Sequence, residues 1–201
     1  CLNSLKSINY KNYNIIVVDN NSSDIFEEKF NEEYQCDLII SPVNNGFSSG
    51  NNIGIRYAEN KYFPDYYLLL NNDTTVDPNF LTELVHTARK HKNDIGCVTG
   101  RICHYANPSR IDYCGGYFDR NTGRATYYCL KDRCYEEREI TFATGCLMLL
   151  PRETVEQVGY LDEMYFMYGE DVDYSCKIID CSKKIYYNDN AIIFHKISAS
   201  T

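Results

Sequence analysis

Apolar and polar positions alternate in blocks along the first half of the chain. Apolar runs rich in β-branched or leucine side chains predict strands at residues 14–18, 37–40, 66–70 and 95–98. The stretches between them predict helices at residues 23–33, 48–60 and 78–91. This alternation predicts an α/β fold with a mostly parallel, Rossmann-like sheet flanked by helices, where ligands bind beyond the carboxyl ends of the strands.

The pattern changes after residue 100. Alternating Tyr-rich and Gly-rich positions over residues 101–138, around a turn at residues 119–123, predict a β-hairpin insertion. Beyond the insertion the pattern predicts strands at residues 142–150 and 185–194 and helices at residues 152–158 and 170–182. No repeat or linker interrupts the 201 residues, so we expect one domain over residues 1–201.

The composition argues against one kind of partner and favours one cellular compartment. A net charge of -8 without a basic stripe argues against nucleic acid as a partner. The ten cysteines include no Cys-x-x-Cys pair of the kind that binds zinc or performs redox work, which favours reduced thiols and a cytoplasmic location. No apolar stretch approaches the ~18 residues of a membrane-spanning helix.

The strand predicted at residues 66–70 stops abruptly on three polar side chains, Asn71, Asn72 and Asp73. A carboxylate with an amide oxygen two residues before it can ligate Mg²⁺ or Mn²⁺. The same residues equally suit an Asx-rich turn that caps the strand. The local pattern leaves both interpretations open.

Two polar loops carry further candidates for ligand binding. Asp19 opens the loop at residues 19–24, which suits either a nucleotide contact or a turn with a helix N-cap. Residues 44–54 form a small-residue loop that opens a helix, where backbone N–H groups and the helix dipole can meet a diphosphate. The candidates in this second loop are Asn45, Gly46 and Asn51.

A second acidic cluster opens the helix predicted at residues 170–182. Glu170 and Asp171 are either N-terminal acids favoured by the helix dipole or functional carboxylates beside the aromatic stretch at residues 164–168, which can raise a pKa or stack on a sugar ring. His195 is either a structural histidine or a ligand. One cluster that holds a metal and another that takes a proton would suit a metal-assisted group transfer.

Five segments, taken in order, resemble a family 2 glycosyltransferase of the GT-A fold, in particular the rhamnosyltransferase-like branch that builds bacterial surface polysaccharides. The segments are residues 17–24, 44–55, 68–78, 144–173 and 195–200. Their ordered agreement is more specific than any one of them.

The resemblance implies a role for each candidate residue. Asp73 would be the carboxylate ligand of a Mn²⁺ or Mg²⁺ ion, at the place of an Asp-x-Asp motif from which Asn71 departs. His195 would contact that metal or the diphosphate. Asp171 would be the catalytic base, with Glu170 orienting the acceptor or exchanging roles with it. The residues that would bind the nucleotide sugar are Asp19, Asn45, Gly46, Asn51, Asn71 and Asn72.

The implied activity is an inverting sugar transfer, with rhamnose as a candidate sugar. The donor would be UDP- or dTDP-linked, with its base recognised by Asp19, and the acceptor would be a glycan or a lipid-linked glycan. Residues 1–100 would bind the nucleotide and residues 101–201 the acceptor. The enzyme would work in the cytoplasm, at the inner face of the membrane, without a nucleic-acid partner.

The resemblance also predicts what adjoins the chain. Such enzymes begin with a strand, which should precede Cys1, and continue past the segment of His195 with helices that often associate with a membrane. We therefore expect a domain truncated at both ends, with incomplete activity when isolated.

Two other functions remain open. A sugar nucleotidyltransferase shares the sheet and the need for a metal. A non-catalytic remnant that binds a nucleotide sugar would account for Asn71 and for a missing first strand. Glycosyl transfer requires that Asp19, Asp73, Asp171 and His195 border one cleft.

Overall fold

A computed structural model describes residues 1–23, 30–128 and 137–196. The strands in these ranges are β1 (Ile15–Asp19), β2 (Cys36–Ile40), β3 (Tyr66–Leu70), β4 (Thr74–Val76), β5 (Ile95–His104), β6 (Asn107–Tyr113), β7 (Gly116–Asp119), β8 (Arg124–Tyr127), β9 (Glu137–Ile140), β10 (Leu147–Pro151) and β11 (Lys184–His195). The helices are α1 (Leu2–Leu5), α2 (Phe30–Tyr34), α3 (Gly46–Lys61), α4 (Phe80–Lys90), α5 (Arg152–Val158) and α6 (Glu170–Asp180).

The central sheet aligns three of its major strands in one direction. β10 lies antiparallel between β3 and β5, and β5 pairs in parallel with β11. β3, β5 and β11 therefore run the same way, and the segments that follow them meet at one edge of the sheet. The shorter strands β4 and β9 pair antiparallel with β11, and β6 pairs antiparallel with β5.

Helices cover the sheet as the α/β pattern predicts. α4 packs against β5, β10 and β11, while α6 packs against β5 and β11. β10 lies in the middle, and its residues 147–150 are at most 1% exposed. A strand covered on both faces can be apolar at every position, which explains the continuous run in the sequence. Among the described residues, no helix combines the length and the apolar character that crossing a bilayer requires.

β1 and β2 form a separate parallel pair beside α3. Within the described residues, β1 pairs only with β2 and β3 pairs only with β10. β1 and β3 therefore each have one edge without a partner strand in the described part of the chain. The first strand expected before Cys1 remains a prediction.

The hairpin insertion is present. β7 and β8 pair antiparallel, and the turn between them includes Gly123, whose φ of 69° lies in the left-handed region that favours glycine. Residues 129–136, which complete the predicted insertion, lie outside the described residues.

Some predicted boundaries were wrong. The strand expected at residues 142–150 begins only at Leu147, because the preceding backbone forms hydrogen bonds outside the central ladder: the Phe142 N–H donates to Gly116 O and the Gly145 N–H donates to the Asp171 carboxylate. The strand expected at residues 95–98 extends to His104. Of the helix expected at residues 23–33, residues 24–29 lie outside the described ranges, and α2 begins at Phe30.

One carboxylate joins the far end of the insertion to α4. Glu137 of β9 lies 2.7 Å from Lys90 Nζ, 2.8 Å from His91 Nε2 and 2.9 Å from the Thr87 hydroxyl. Burial alone would raise the pKa of Glu137, but the hydrogen bonds from Lys90, His91 and Thr87 outweigh it and lower the pKa to about 2.

Replacing Glu137 by Gln should therefore make stability less dependent on acid. Because the folded pKa lies below the unfolded value, the ionised carboxylate contributes its full stability above the unfolded pKa and loses it as the pH falls toward 2. We expect Glu137→Gln to lower the free energy of unfolding by about 2 kcal/mol at pH 7 and to flatten its decline in acid, as measured by urea unfolding.

Glu139→Gln is the matched control for this measurement. Glu139 lies on the same strand with a side chain 56% exposed and a single ion pair to Lys184. Equal effects of the two substitutions would contradict the anchoring role of Glu137.

Candidate functional site

The candidate metal ligands meet at the edge of the sheet where β3 and β11 end. β4 pairs antiparallel with β11 and sets Thr74 opposite His195, while the Lys196 N–H donates to Asp73 O at 3.0 Å. Asp73 Oδ1 lies 3.0 Å from His195 Nε2, with side-chain exposures of 8% and 21%. The fold thus brings together two residues that are far apart in the sequence.

This pair suits a divalent cation. Asp73 Oδ1 is buried without a hydrogen-bond partner among the described residues, so the imidazole nitrogen of His195 lies at contact distance but not in hydrogen-bond geometry. Two adjacent ligands of an octahedral Mg²⁺ or Mn²⁺ ion, each about 2.1 Å from the metal, lie about 3 Å apart. The described residues contain no group of three or more His, Cys, Asp or Glu side chains placed to hold a metal. A cation here would need further ligands from a substrate or from water.

The residues before Asp73 form a tight turn beside β10. The Asn71 N–H donates to Cys146 O at 3.1 Å, and Asn71 O accepts from the Thr74 hydroxyl at 2.7 Å. Asn72 is exposed between them. These bonds place the turn directly against the segment at residues 144–146.

The same segment also contacts the candidate base. Asp171 Oδ2 accepts from the Gly145 N–H at 3.0 Å and Oδ1 accepts from the Val172 N–H at 2.9 Å. Because Cys146 O accepts from the Asn71 N–H in the turn that leads to Asp73, residues 144–146 contact both acidic clusters.

Both acids at the start of α6 have shifted pKa values. Burial raises the pKa of Asp171, and the N–H donors of Gly145 and Val172 oppose that shift. Burial also raises the pKa of Glu170, which is 6% exposed and whose Oε2 has no hydrogen-bond partner in the described part of the chain. A carboxylate with a raised pKa is a better proton acceptor than an ordinary surface acid.

The start of α3 closes the same region. Asn45 is the N-cap residue of α3, and Gly46 follows with a φ of +87°. The Gly46 N–H donates to Asn44 Oδ1 at 3.0 Å, and the Phe47 N–H donates to Phe166 O at 2.8 Å. Since these two N–H groups have protein partners, they do not form the open diphosphate cradle that the sequence suggested.

The loop after β1 contacts α3. Asp19 is buried, and its Oδ1 accepts from the Ser22 N–H at 3.1 Å. Next to it, Asn20 Nδ2 donates to Gly46 O at 3.1 Å. Asp19 is thereby connected to the start of α3, whose Phe47 ring would lie 3.2 Å from a Cβ at Gly145.

Asn51 and Asn52 face different parts of the molecule. Asn51 Nδ2 donates to Phe47 O at 2.9 Å, within α3. Asn52 is buried and bonds the backbone of Leu161 and the Glu163 carboxylate, so it fixes the loop that leads to residues 164–168. Asn51 remains a predicted nucleotide contact.

A single methyl group at Gly46 should disrupt this arrangement. A Cβ at Gly46 would lie 2.1 Å from Phe166 O, and the positive φ disfavours any side chain. We expect Gly46→Ala to lower the free energy of unfolding by about 3 kcal/mol, from the strained φ and the backbone clash together, as measured by urea denaturation.

Gly123→Ala separates those two contributions. Gly123 has a φ of +69°, and a Cβ added there would meet no atom within 4 Å, so this position carries the conformational cost alone. A Gly46→Ala variant no less stable than Gly123→Ala would show that the contact with Phe166 does not hold the two loops together.

Sequence reasoning missed three contributors to the site. Gly145 and Thr144 both bond the Asp171 carboxylate, and Asn20 connects the β1 loop to α3. An isolated glycine in an apolar run was the available signal for Gly145, because such a glycine often marks a close backbone approach. The bond from Asn20 has no local signature.

A groove elsewhere does not include the candidate residues. It measures about 290 Å³ and lies between β7 and α6, with Phe118, Arg120, Cys176 and Ile179 in its lining.

Comparison with known sequences gives one family and several relatives. The profile described as "Glycosyl transferase family 2" matches residues 1–159. The chain is 28% identical over 161 residues to the low-salt glycan biosynthesis hexosyltransferase Agl10 of Haloferax volcanii, covering 79% of the chain and 51% of that protein. It is 25% identical over 190 residues to the rhamnosyltransferase WbbL of Escherichia coli, covering 88% of the chain and 70% of that protein.

Solved structures share the fold. The structure of GalNAc-T7 with UDP, GalNAc and Mn²⁺ has a TM-score of 0.77 at 19% identity, over 96% of this chain and 39% of that one. The mannosyltransferase PcManGT from Pyrobaculum calidifontis with GDP-Man and Mn²⁺ has a TM-score of 0.66 at 11% identity, over 98% of this chain and 52% of that one. These likenesses confirm the predicted GT-A fold class.

Proposed function

Since the chain belongs to glycosyl transferase family 2, as its sequence predicted, we propose that it transfers a sugar from a nucleotide-linked donor to a hydroxyl of a glycan or lipid-linked glycan. One observation carries the proposal: residues 144–146 contact both Asp171 and the turn that leads to Asp73, which itself lies against His195. One short segment thus joins the proposed base, which would meet the attacking hydroxyl, to the residues that would hold the cation of the leaving diphosphate.

The proposed reaction is a single displacement. Asp171 accepts the proton of the acceptor hydroxyl while the hydroxyl oxygen bonds to the anomeric carbon and the bond to the diphosphate oxygen breaks. Attack opposite the leaving group inverts the anomeric centre without a covalent enzyme intermediate. Glu170, whose side chain is also largely buried, orients the acceptor and is the alternative base.

Asp73 and His195 would hold the divalent cation, Mn²⁺ or Mg²⁺. A cation there supplies Lewis-acid stabilisation of the departing nucleoside diphosphate. Asn71 and Asn72 belong to the turn that presents Asp73, so their proposed contacts are with the donor. The departure from an Asp-x-Asp motif at Asn71 leaves His195 as the second protein ligand.

The nucleotide would lie toward β1 and α3. Asp19 would accept a hydrogen bond from the base, which suits the N–H of a uracil or thymine ring and therefore a UDP- or dTDP-linked donor. Asn45, Gly46 and Asn51 would shape the wall beside the nucleotide. The rhamnose donor, the surface-polysaccharide acceptor and a cytoplasmic location at the inner face of the membrane remain part of the proposal.

A donor assay tests this function. The protein at its full natural length is incubated with UDP- and dTDP-linked sugars, with and without Mn²⁺, and release of nucleoside diphosphate is followed. We expect slow, Mn²⁺-dependent hydrolysis of one donor, accelerated by an acceptor. Thermal stabilisation by donors without release would instead indicate a binding remnant, and formation of sugar 1-phosphate from donor and pyrophosphate would indicate a nucleotidyltransferase.

A further inference from the structure

The hairpin insertion holds one tyrosine in a fixed position beside the candidate site. In the β7–β8 ladder Tyr127 pairs with Gly116, and Gly116 itself bridges to Phe142. The neighbouring Tyr128 N–H donates to Gly115 O at 3.0 Å. These backbone contacts attach the end of β8 to the segment that leads to residues 144–146.

Two aromatic rings, Phe142 and Tyr113, fix the orientation of Tyr127. Its ring stacks on Phe142 with centroids 6.0 Å apart and planes 7° apart, and it meets Tyr113 edge to face at 5.3 Å. The Tyr113 hydroxyl donates to Phe142 O at 2.7 Å. Tyr113 and Phe142 are buried, whereas Tyr127 is 50% exposed. The cluster is therefore a supported ring with part of its surface open to solvent.

Gly116 permits this stacking. A Cβ there would lie 2.6 Å from Phe142 Cδ1 and 3.0 Å from Phe142 O. Because Gly116 has no side chain, Phe142 can approach the ladder and Tyr127 can cover it. Covering a glycine with an aromatic ring from the paired strand is also a common way to stabilise a hairpin.

One short segment, residues 142–145, contacts both the exposed ring and the candidate base. Burial raises the pKa of Tyr127, and the nearby Asp171 carboxylate and Cys146 raise it further. Phe142, on which the ring stacks, lies on the same short segment as Gly145, whose N–H holds the Asp171 carboxylate. An acceptor placed with a hydroxyl at Asp171 would thus have the Tyr127 ring within reach.

We propose that Tyr127 is a binding platform for the acceptor, and that the acceptor presents a pyranose ring whose C–H face stacks on it. The inference rests on the proposed function, since it assigns Asp171 the neighbouring hydroxyl. A pyranose has one face of C–H groups and hydroxyls around its edge. The C–H face can therefore pack on an aromatic ring while a hydroxyl at the edge contacts the Asp171 carboxylate. The aromatic stretch at residues 164–168 would then line another part of the acceptor site.

Tyr127→Leu and Tyr127→Phe test the platform in the full-length protein. Leu keeps an apolar cover over Gly116 and Phe142 but removes the aromatic face, while Phe keeps the face and removes only the hydroxyl. Sugar transfer is measured with the octyl pyranosides of glucose, N-acetylglucosamine and rhamnose as acceptors. Donor hydrolysis without an acceptor is measured in parallel. We expect Tyr127→Leu to raise the acceptor KM about tenfold, with kcat and donor hydrolysis within about twofold of wild type and Tyr127→Phe close to wild type.

Tyr117→Leu is the matched control. Tyr117 lies on the paired strand of the same hairpin, is 46% exposed and lines the groove beside α6. The Tyr117→Leu variant should leave the acceptor KM unchanged. Melting temperatures of the four proteins separate a loss of the fold from a loss of acceptor binding.

Distinct outcomes overturn the inference and the proposed function. An unchanged acceptor KM in Tyr127→Leu, or a loss of donor hydrolysis in step with a lower melting temperature, would show that Tyr127 only covers the hairpin. Equal losses in the Phe and Leu variants would assign the effect to the hydroxyl. Donor hydrolysis without transfer to any pyranoside would exclude the acceptor class. If wild type hydrolyses no donor, the proposed function itself fails.

Discussion

Asp171→Asn is expected to slow sugar transfer by ~10²–10⁴-fold, the contribution of a positioned general base, while the affinity for the donor nucleotide stays within about twofold. The amide cannot accept the proton of the acceptor hydroxyl. The loss should therefore appear in kcat, measured with saturating donor and acceptor, and not in the Kd of the nucleotide by calorimetry.

The pH profile provides a second measurement of the same residue. Burial raises the pKa of Asp171 above its ordinary value of 3.8, and only the ionised form accepts a proton. Transfer by wild type should therefore fall as the pH drops through that raised pKa. The acid limb should be absent from the residual rate of Asp171→Asn.

Glu170→Gln is the control for this assignment. Glu170 is the adjacent acid, its pKa is also raised by burial, and its Oε2 has no hydrogen-bond partner within residues 1–23, 30–128 and 137–196. If Glu170→Gln abolishes turnover and Asp171→Asn does not, Glu170 is the base. In Asp171→Asn the donor NH₂ of the new amide would face the N–H of Gly145 or of Val172, which would then lose its acceptor. The melting temperature of Asp171→Asn must therefore also be measured, to separate a loss of stability from a loss of the base.

Asp73→Ala is expected to weaken Mn²⁺-dependent nucleotide binding on the order of 100-fold, because a carboxylate ligand anchors the cation that bridges protein and diphosphate. Without metal, Asp73→Ala should bind the nucleotide slightly more tightly than wild type, because the substitution removes a negative charge that repels the diphosphate. Calorimetric titration of UDP and dTDP, with Mn²⁺ and with a chelator, measures both effects.

Asn72→Ala is the comparison for Asp73, because Asn72 is the exposed neighbour in the same turn and a proposed donor contact without a metal role. We expect it to weaken nucleotide binding by about twofold, to the same extent with Mn²⁺ and with a chelator, as for an exposed polar contact. The same Mn²⁺ dependence in wild type and Asp73→Ala would show that the contact between Asp73 and His195 is structural only.

The sequence supplied the candidates for the site but not its geometry. Asp73 was recognisable because an apolar strand ends abruptly before it, and Asp171 because it opens an amphipathic helix. Nothing local indicates that Asp73 Oδ1 lies 3.0 Å from His195 Nε2. That contact depends on β11 returning beside β4, which is a matter of strand order.

The loop at the start of α3 has partners that its own sequence does not indicate. The glycine and asparagine pattern at residues 44–54 suggested backbone N–H groups that can meet a diphosphate, which stays a prediction. In the fold, the Phe47 N–H donates to Phe166 O and Asn20 donates to Gly46 O. Each of these partners is distant along the chain, so neither bond could be anticipated from the loop itself.

The sequence by itself determined the family, the α/β class and which side chains can do chemistry. Hydrophobic periodicity and the order of motifs are encoded locally, so they can be recognised before the chain is folded. Only the tertiary structure decided that residues 144–146 contact both Asp171 and the turn that leads to Asp73, and that Tyr127 stacks on Phe142 in the neighbouring segment. Those relations follow from the shared direction of β3, β5 and β11 and from the docking of the hairpin, which are set by packing between distant segments.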